Sequence, residues 1–157
     1  MLHLTIPWPP AVKKNSKKVG RISRGKRRGQ VAVFSSDSYQ RWEKNAIEYV
    51  KASVARHRLL RTPDVYRLPY KTRVHITASI FVGDERRRDL TNLLEGPLDV
   101  LVKAGVIIDD NWKIVNNLDG SRVYLDRDNP RVELLIREDR SDEEVAGEAV
   151  GEGPAIG

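Results

Sequence analysis

The sequence predicts a single small α+β domain, a mixed sheet of about four to six strands packed against two main helices. Three observations carry that prediction. Residues 72–82, TRVHITASIFV, alternate strictly, with Val74, Ile76, Ala78 and Ile80 on one side. Residues 38–56 repeat large side chains at helical spacing, and a second apolar stripe runs through Leu90, Leu94, Leu98 and Leu101. Residues 131–138, RVELLIRE, supply a further strand that closes the sheet. A chain of 157 residues is long enough for one domain with an ordinary core.

The elements follow in order. Residues 2–7, LHLTIP, alternate enough for a first strand, which Trp8-Pro9-Pro10 ends. Residues 13–28, KKNSKKVGRISRGKRR, hold nine bases and no acid, and glycine, serine and self-repulsion make them a mobile loop. QVAVF (30–34) resumes as a short strand, so the first strand and this one form a hairpin with the basic loop at its tip. Ser35, Ser36 and Asp37 offer an N-cap for the helix over 38–56, whose inward face is Tyr39, Trp42, Ala46, Tyr49, Val50 and Ser53. Residues 62–69 are a proline-bounded connector. The second helix ends at Lys103-Ala104-Gly105. Within it Gly96-Pro97 predicts a kink or a late start, because proline cannot donate to the carbonyl four residues back. Residues 106–108 read as a short buried strand, 114–125 as an irregular strand and 126–130, DRDNP, as a turn. The domain thus spans 1–138. Residues 139–157 are rich in Glu, Gly and Ala with almost no large apolar side chain, and form a disordered acidic tail.

Composition narrows the function. The hydrophobic share of 39% is low and the charged share of 32% is high. The chain has no cysteine, which excludes disulfides and thiolate metal sites, and His3, His57 and His75 show no zinc spacing. No apolar run approaches the ~20 residues of a membrane helix, and the N-terminal MLHLTIPWPP lacks the pattern of a signal peptide, so a cytoplasmic location is expected. The net charge of +6 divides unevenly. Residues 1–137 hold 27 bases against 15 acids, or +12, whereas 138–157 hold seven acids against Arg140, or −6. A body that basic attracts polyanions, nucleic acid first among them. The basic stretches are not amphipathic helices, which argues against a membrane surface. Candidate contacts to DNA phosphates are Lys13, Lys14, Lys17, Lys18, Arg21, Arg24, Lys26, Arg27 and Arg28 in the loop, joined by Arg86, Arg87 and Arg88. The alternative is a solubilising loop, and the tail either competes with DNA for the basic body or solubilises in its turn.

Residues 86–110, RRRDLTNLLEGPLDVLVKAGVIIDD, carry the candidate chemistry. Asp89 sits where a strand gives way to a helix, and Asp110 follows the next short strand. Two carboxylates brought together from such ends repel unless a cation intervenes. Mg²⁺ binds through one or two carboxylates, with water and substrate phosphates completing its octahedron, and Mn²⁺ accepts the same oxygen donors. Such a metal activates water and stabilises the leaving oxygen in phosphodiester cleavage, while arginines hold the phosphate. In the alternative, Asp89 caps a helix and Asp109-Asp110 form a turn.

With the TIPWPP opening, this stretch resembles the RusA family of Holliday junction resolvases. The matching residues are Arg87-Arg88-Asp89-Leu90-Thr91-Asn92-Leu93, then Lys103-Ala104-Gly105, then Asp109-Asp110, and the resemblance spans residues 3–138. It implies a RusA-like fold and a small homodimeric, Mg²⁺-dependent endodeoxyribonuclease. Such an enzyme nicks paired strands of four-way junctions in the cytoplasm of a bacterium or a phage-infected host, and cleavage of flaps or forks is the related option. It also implies that Asp89 and Asp110 are the first and last carboxylates of the site and that Asn92 is the asparagine beside them. Two positions depart from the family pattern. Thr91 stands where the family has a second aspartate, and Glu95 where it has a lysine. Thr91, Glu95 and Asp99 are spaced four apart and share a helix face, so Glu95 can reach back about one turn, ~5–6 Å, toward the missing carboxylate's place. The expected site is therefore Asp89, Asp110, Glu95 and Asn92, with the metal on Asp89 and Asp110 beside Thr91. In the alternative, Asn92 caps the helix and Glu95 completes an N-x-x-E box. Lys113, Arg86 and Arg88 are the candidates for the absent lysine's role. The second reading is a branched-DNA-binding protein impaired in cleavage.

Overall fold

The computed structural model describes residues 1–12 and 17–139. These form β1 (Leu2–Ile6), β2 (Lys17–Arg21), β3 (Val31–Ser35), α1 (Asp37–Leu59), β4 (Val74–Val82), α2 (Leu90–Lys103), β5 (Val115–Asn117), β6 (Arg122–Leu125) and β7 (Arg131–Glu138). The main sheet runs β1-β7-β4-β5, with β6 also on β4. β7 is antiparallel to β1 and β4, whereas β5 and β6 run parallel to β4, and α2 lies in the crossover that parallel pairing requires. The mixed sheet, two main helices and α+β class are those the sequence predicts.

Alternation fixes the register. Leu2, Ile136 and Ile76 align across three strands, as do Leu4, Leu134 and Ala78, and then Ile6, Val132 and Ile80. All nine are buried, and they meet Ala46, Val50 and Val54 of α1 and Leu93, Leu94, Val100 and Leu101 of α2 in one core. On the opposite face Arg131 places its guanidinium 3.7 Å from the Phe81 ring centroid and pairs with Asp126 and Glu133 at 2.7 Å each.

Several expectations are corrected. β1 does not pair with the strand at 30–34. Its partner is β7, and β3 pairs with β2 in a separate two-stranded sheet. Residues 17–21, expected within a loop, are therefore a strand, held by antiparallel backbone pairing with 31–35 although Val19 and Val33 are exposed like the charged side chains around them. Arg24, Lys26, Arg27 and Arg28 lie exposed at the hairpin tip, and Lys13, Lys14 and residues 140–157 are outside the described residues. Helix α1 is capped by Ser36, whose hydroxyl accepts from the Tyr39 amide at 3.2 Å. Its buried residues are Tyr39, Ala46, Val50 and Val54, whereas Tyr49 is exposed and meets Trp8 edge-on at 5.8 Å. Residues 63–67 form a 3-10 helix inside the connector.

Helix α2 starts before Gly96-Pro97 and continues past the pair to Lys103, so neither residue delays it. Both are buried. A Cβ on Gly96 would lie 3.0 Å from the Trp42 ring and 3.3 Å from the Ala11 carbonyl, so the glycine is what lets α1 and the N-terminal segment close on α2. That packing outweighs the ~3 kcal/mol cost of proline in a helix interior. Leu90 is exposed and the inward face is instead Leu93, Leu94, Val100 and Leu101. Residues 106–108 reduce to a single bridge between Ile107 and Tyr70, and the stretch 114–125 splits into β5 and β6 at Gly120, whose φ is 80°. The chain is still tied to the sheet at Asp139, whose amide donates to the Arg73 carbonyl at 2.9 Å.

Candidate active site

Beyond β4 the chain turns at Gly83 and enters α2 at Asp89, and beyond α2 it returns past Tyr70 to Asp110. Two open clefts result, on different sides of the first turns of α2. One, of about 310 Å³, is lined by Thr91, Leu94, Glu95, Leu98, Asp99, Asp110 and Leu118. The other is lined by Val12, Arg87, Arg88, Asp89 and Asn92. Successive helical residues point ~100° apart, which is why Thr91 and Asn92 look into different clefts.

The first cleft brings Asp110 to the Thr91, Glu95 and Asp99 face of α2. Burial raises the Asp110 pKa above the usual carboxylate value, helped by its hydrogen bond with the Asp109 side chain and by the nearby Asp99 charge. Asp109 is shifted the opposite way, chiefly because its carboxylate accepts from the Asn111 side chain at 2.7 Å. Tyr39, expected only in the core, donates its hydroxyl to Asp99 Oδ2 at 3.3 Å and so orients that carboxylate. Leu94, Leu98 and Leu118 form an apolar floor.

In the second cleft Asp89 occupies the N-cap position of α2, but its side chain makes no capping bond to the backbone. Asp89 Oδ2 instead accepts from Asn92 Nδ2 at 3.0 Å. Asn92 thus lies inside the helix as a partner of Asp89, not as a cap, and no N-x-x-E box forms there. Two of the three arginines serve a different acid. Arg86 and Arg88 both pair with Asp84 at 2.7 Å, which holds the Asp84 carboxyl well below the usual range. Arg87 is exposed and makes no ion pair among the described residues.

Of the expected site, the structure joins Asp110, Glu95 and Thr91 in one cleft and gives Asp89 and Asn92 to the next. Asp99 is the carboxylate that sequence reasoning left out of the site. Its four-residue spacing from Glu95 was the signal that put it on the same face. Among the described residues no three His, Asp or Glu side chains converge as a preformed metal cage. The donor set nevertheless fits Mg²⁺ or Mn²⁺. It consists only of oxygens, and Asp110, partly desolvated beside Asp99, is a carboxylate whose ionised form an incoming cation favours.

Lys17, Arg21 and the tip bases present their charge to solvent, while Lys18 pairs with Asp37 at 2.5 Å and ties the hairpin to the start of α1. No helix among the described residues is long and apolar enough to cross a membrane. The comparisons with known proteins agree with this architecture. Residues 7–137 match the family model described as Endodeoxyribonuclease RusA. The crossover junction endodeoxyribonuclease rusA of Enterobacteria phage 82 is 31% identical over 108 residues, covering 69% of this chain and 72% of that protein. The match to the family model takes in both clefts, the helix between them and every strand of the main sheet beyond β1 except the last residue of β7, so the chain belongs to the RusA endodeoxyribonuclease family.

Proposed function

We propose that the chain is a Mg²⁺-dependent, structure-selective endodeoxyribonuclease that binds four-way junctions and other branched DNA as a homodimer and nicks paired strands. The observation that carries this reading is Asp110 facing Asp99 and Glu95 in an open cleft, within a chain of an endodeoxyribonuclease family. The relative's name supplies the junction as substrate class. A twofold dimer presents two such clefts to a substrate with paired strands. Such an enzyme works where branched DNA forms, in the cytoplasm of a bacterium or a phage-infected host.

When bound, a divalent cation supplies Lewis-acid polarisation of the phosphodiester and eases ionisation of the attacking water. Asp110, with Asp99 and Glu95 across the same cleft, would hold it, with the Thr91 hydroxyl beside them, while Asp89 stays with Asn92 in the adjoining cleft. Tyr39 fixes the direction of Asp99. The leucine floor makes one side of the cleft apolar, which lowers the local dielectric and strengthens charge interactions beside it. Arg87 is the guanidinium free to meet phosphate, whereas Arg86 and Arg88 must first exchange Asp84 for it. Arg87→Ala is accordingly expected to weaken DNA binding equally across sequences and to lower the slope of log affinity against log salt by about 1. Arg86→Ala changes that slope less. Salt titrations of duplex binding check both.

A second reading, binding of branched DNA without cleavage, is favoured by two observations: Thr91 and Glu95 replace a carboxylate and a lysine of the family pattern, and no preformed cage stands among the described residues. Comparing the protein on synthetic four-way junctions, forks and plain duplex in Mg²⁺ separates the readings. Paired nicks at the branch support the nuclease. Tight junction binding with intact strands supports the second reading.

A further inference from the structure

The loop that carries Asp110 also displays a tryptophan. Trp112 is 68% exposed, the most exposed of the three tryptophans. Trp8 packs against Tyr49 and Trp42 against Tyr39, whereas among the described residues Trp112 has as a ring contact only the Lys113 ammonium, 6.0 Å from its ring centroid. The loop around it is pinned on both sides. Asp109 accepts from the Asp110 amide and from the Asn111 side chain, both at 2.7 Å. Asn111 Oδ1 accepts from the Lys113 amide at 2.9 Å, and the Asn111 carbonyl accepts from the Ile114 and Val115 amides at 2.9 and 2.8 Å. The ring is therefore held out by a fixed backbone, and a partner that stacks on it spends little entropy ordering the loop.

We propose that Trp112 is a stacking platform for an unpaired base at the branch point, a positioning residue for the cleavage reaction, with Lys113 meeting the adjoining phosphate. The inference rests on the nuclease reading and adds to it how the scissile step is placed. Trp112 is two residues from Asp110, at most ~7 Å of chain, so a base on the ring brings a neighbouring phosphate to the cleft. Aromatic stacking accepts any base, because each has a π face, and it requires a base that is not already stacked within a duplex. Branched DNA supplies such bases at its junction. A second copy of the chain is the weaker occupant. Ile108, 51% exposed, is the other exposed large apolar side chain of the loop, and the pair falls far short of the ~800 Å² per partner of a stable interface.

The test compares wild type with Trp112→Ala and Trp112→Phe, measuring affinity for a four-way junction and for duplex, single-turnover nicking in Mg²⁺ and sedimentation. Trp112→Ala is expected to weaken junction affinity and nicking about tenfold while duplex affinity changes less than about twofold, and Trp112→Phe to retain activity within about threefold. Three outcomes overturn the proposal: junction affinity and nicking unchanged in Trp112→Ala, equal losses on junction and duplex, or a changed sedimentation state, which would make the ring part of a protein interface. A wild type that neither binds nor nicks the junction overturns the nuclease reading as well. A wild type that does both, beside an unimpaired Trp112→Ala, removes only the stacking role.

Discussion

Asp110→Asn is expected to lower Mg²⁺-dependent nicking of a four-way junction by about a thousandfold, the loss of roughly 4 kcal/mol of transition-state stabilisation. Asparagine keeps the shape of the side chain and its place opposite Asp99, but it removes the charge that a cation needs. The same change should not harm the fold. Burial and the neighbouring acids raise the folded pKa of Asp110 above its unfolded value, so its ionised form at neutral pH is a liability relative to the protonated one. That penalty is absent at low pH and sets in as pH rises through the raised pKa, and asparagine escapes it altogether. The variant should therefore melt at the wild-type temperature or slightly above it at pH 7, and should still bind the junction. Single-turnover kinetics with a parallel melting curve decide the matter. An activity within about tenfold of wild type would take Asp110 out of the chemistry.

Ile136→Ala is the stability change of largest expected size. Ile136 is fully buried in β7 and aligns with Leu2 on one side and Ile76 on the other, so truncation leaves a cavity at the middle of the main sheet. Such truncations cost about 2–5 kcal/mol, a large part of the ~5–15 kcal/mol that holds a small domain. Urea unfolding should show the midpoint falling steeply. Leu135→Ala, at the neighbouring position on the half-buried face, serves as the comparison and should lose much less. Equal losses at the two positions would contradict the assigned register.

The parts of the fold that were legible in the sequence are those whose pattern is decided within one element. Strict alternation marked β4, the apolar run RVELLIRE marked β7, and helical spacing marked α1 and α2. Pairing was not legible. β1 finds its partner in β7, far along the chain, and alternation says which side chains turn inward but not which strand lies alongside. β2 was hidden by its lysines and arginine, since a two-stranded sheet with both faces wet needs no apolar alternation. The break between β5 and β6 had a signal in Asp119-Gly120, where Asn117 Oδ1 accepts the Asp119 amide at 2.7 Å.

The site divides along the same line. Spacing four apart put Thr91, Glu95 and Asp99 on one face, and Asp110 meets that face as the loop returns. The direction of the Asp89 carboxylate depends on the extended backbone at the start of α2 and on Asn92, which no spacing rule records. The arginines at 86 and 88 looked available for phosphate, yet Asp84, on the far side of them, takes both.

The cleavage reaction depends on a divalent ion at the carboxylates, and strand scission on a synthetic four-way junction with Mg²⁺ or with a chelator tests that need most directly. The prediction is symmetric, paired nicks near the branch with Mg²⁺, restored by Mn²⁺ after chelation, and uncut strands in the chelator alone. Nicking that persists at full rate in the chelator, or strands that stay whole in Mg²⁺ despite tight binding, would contradict it.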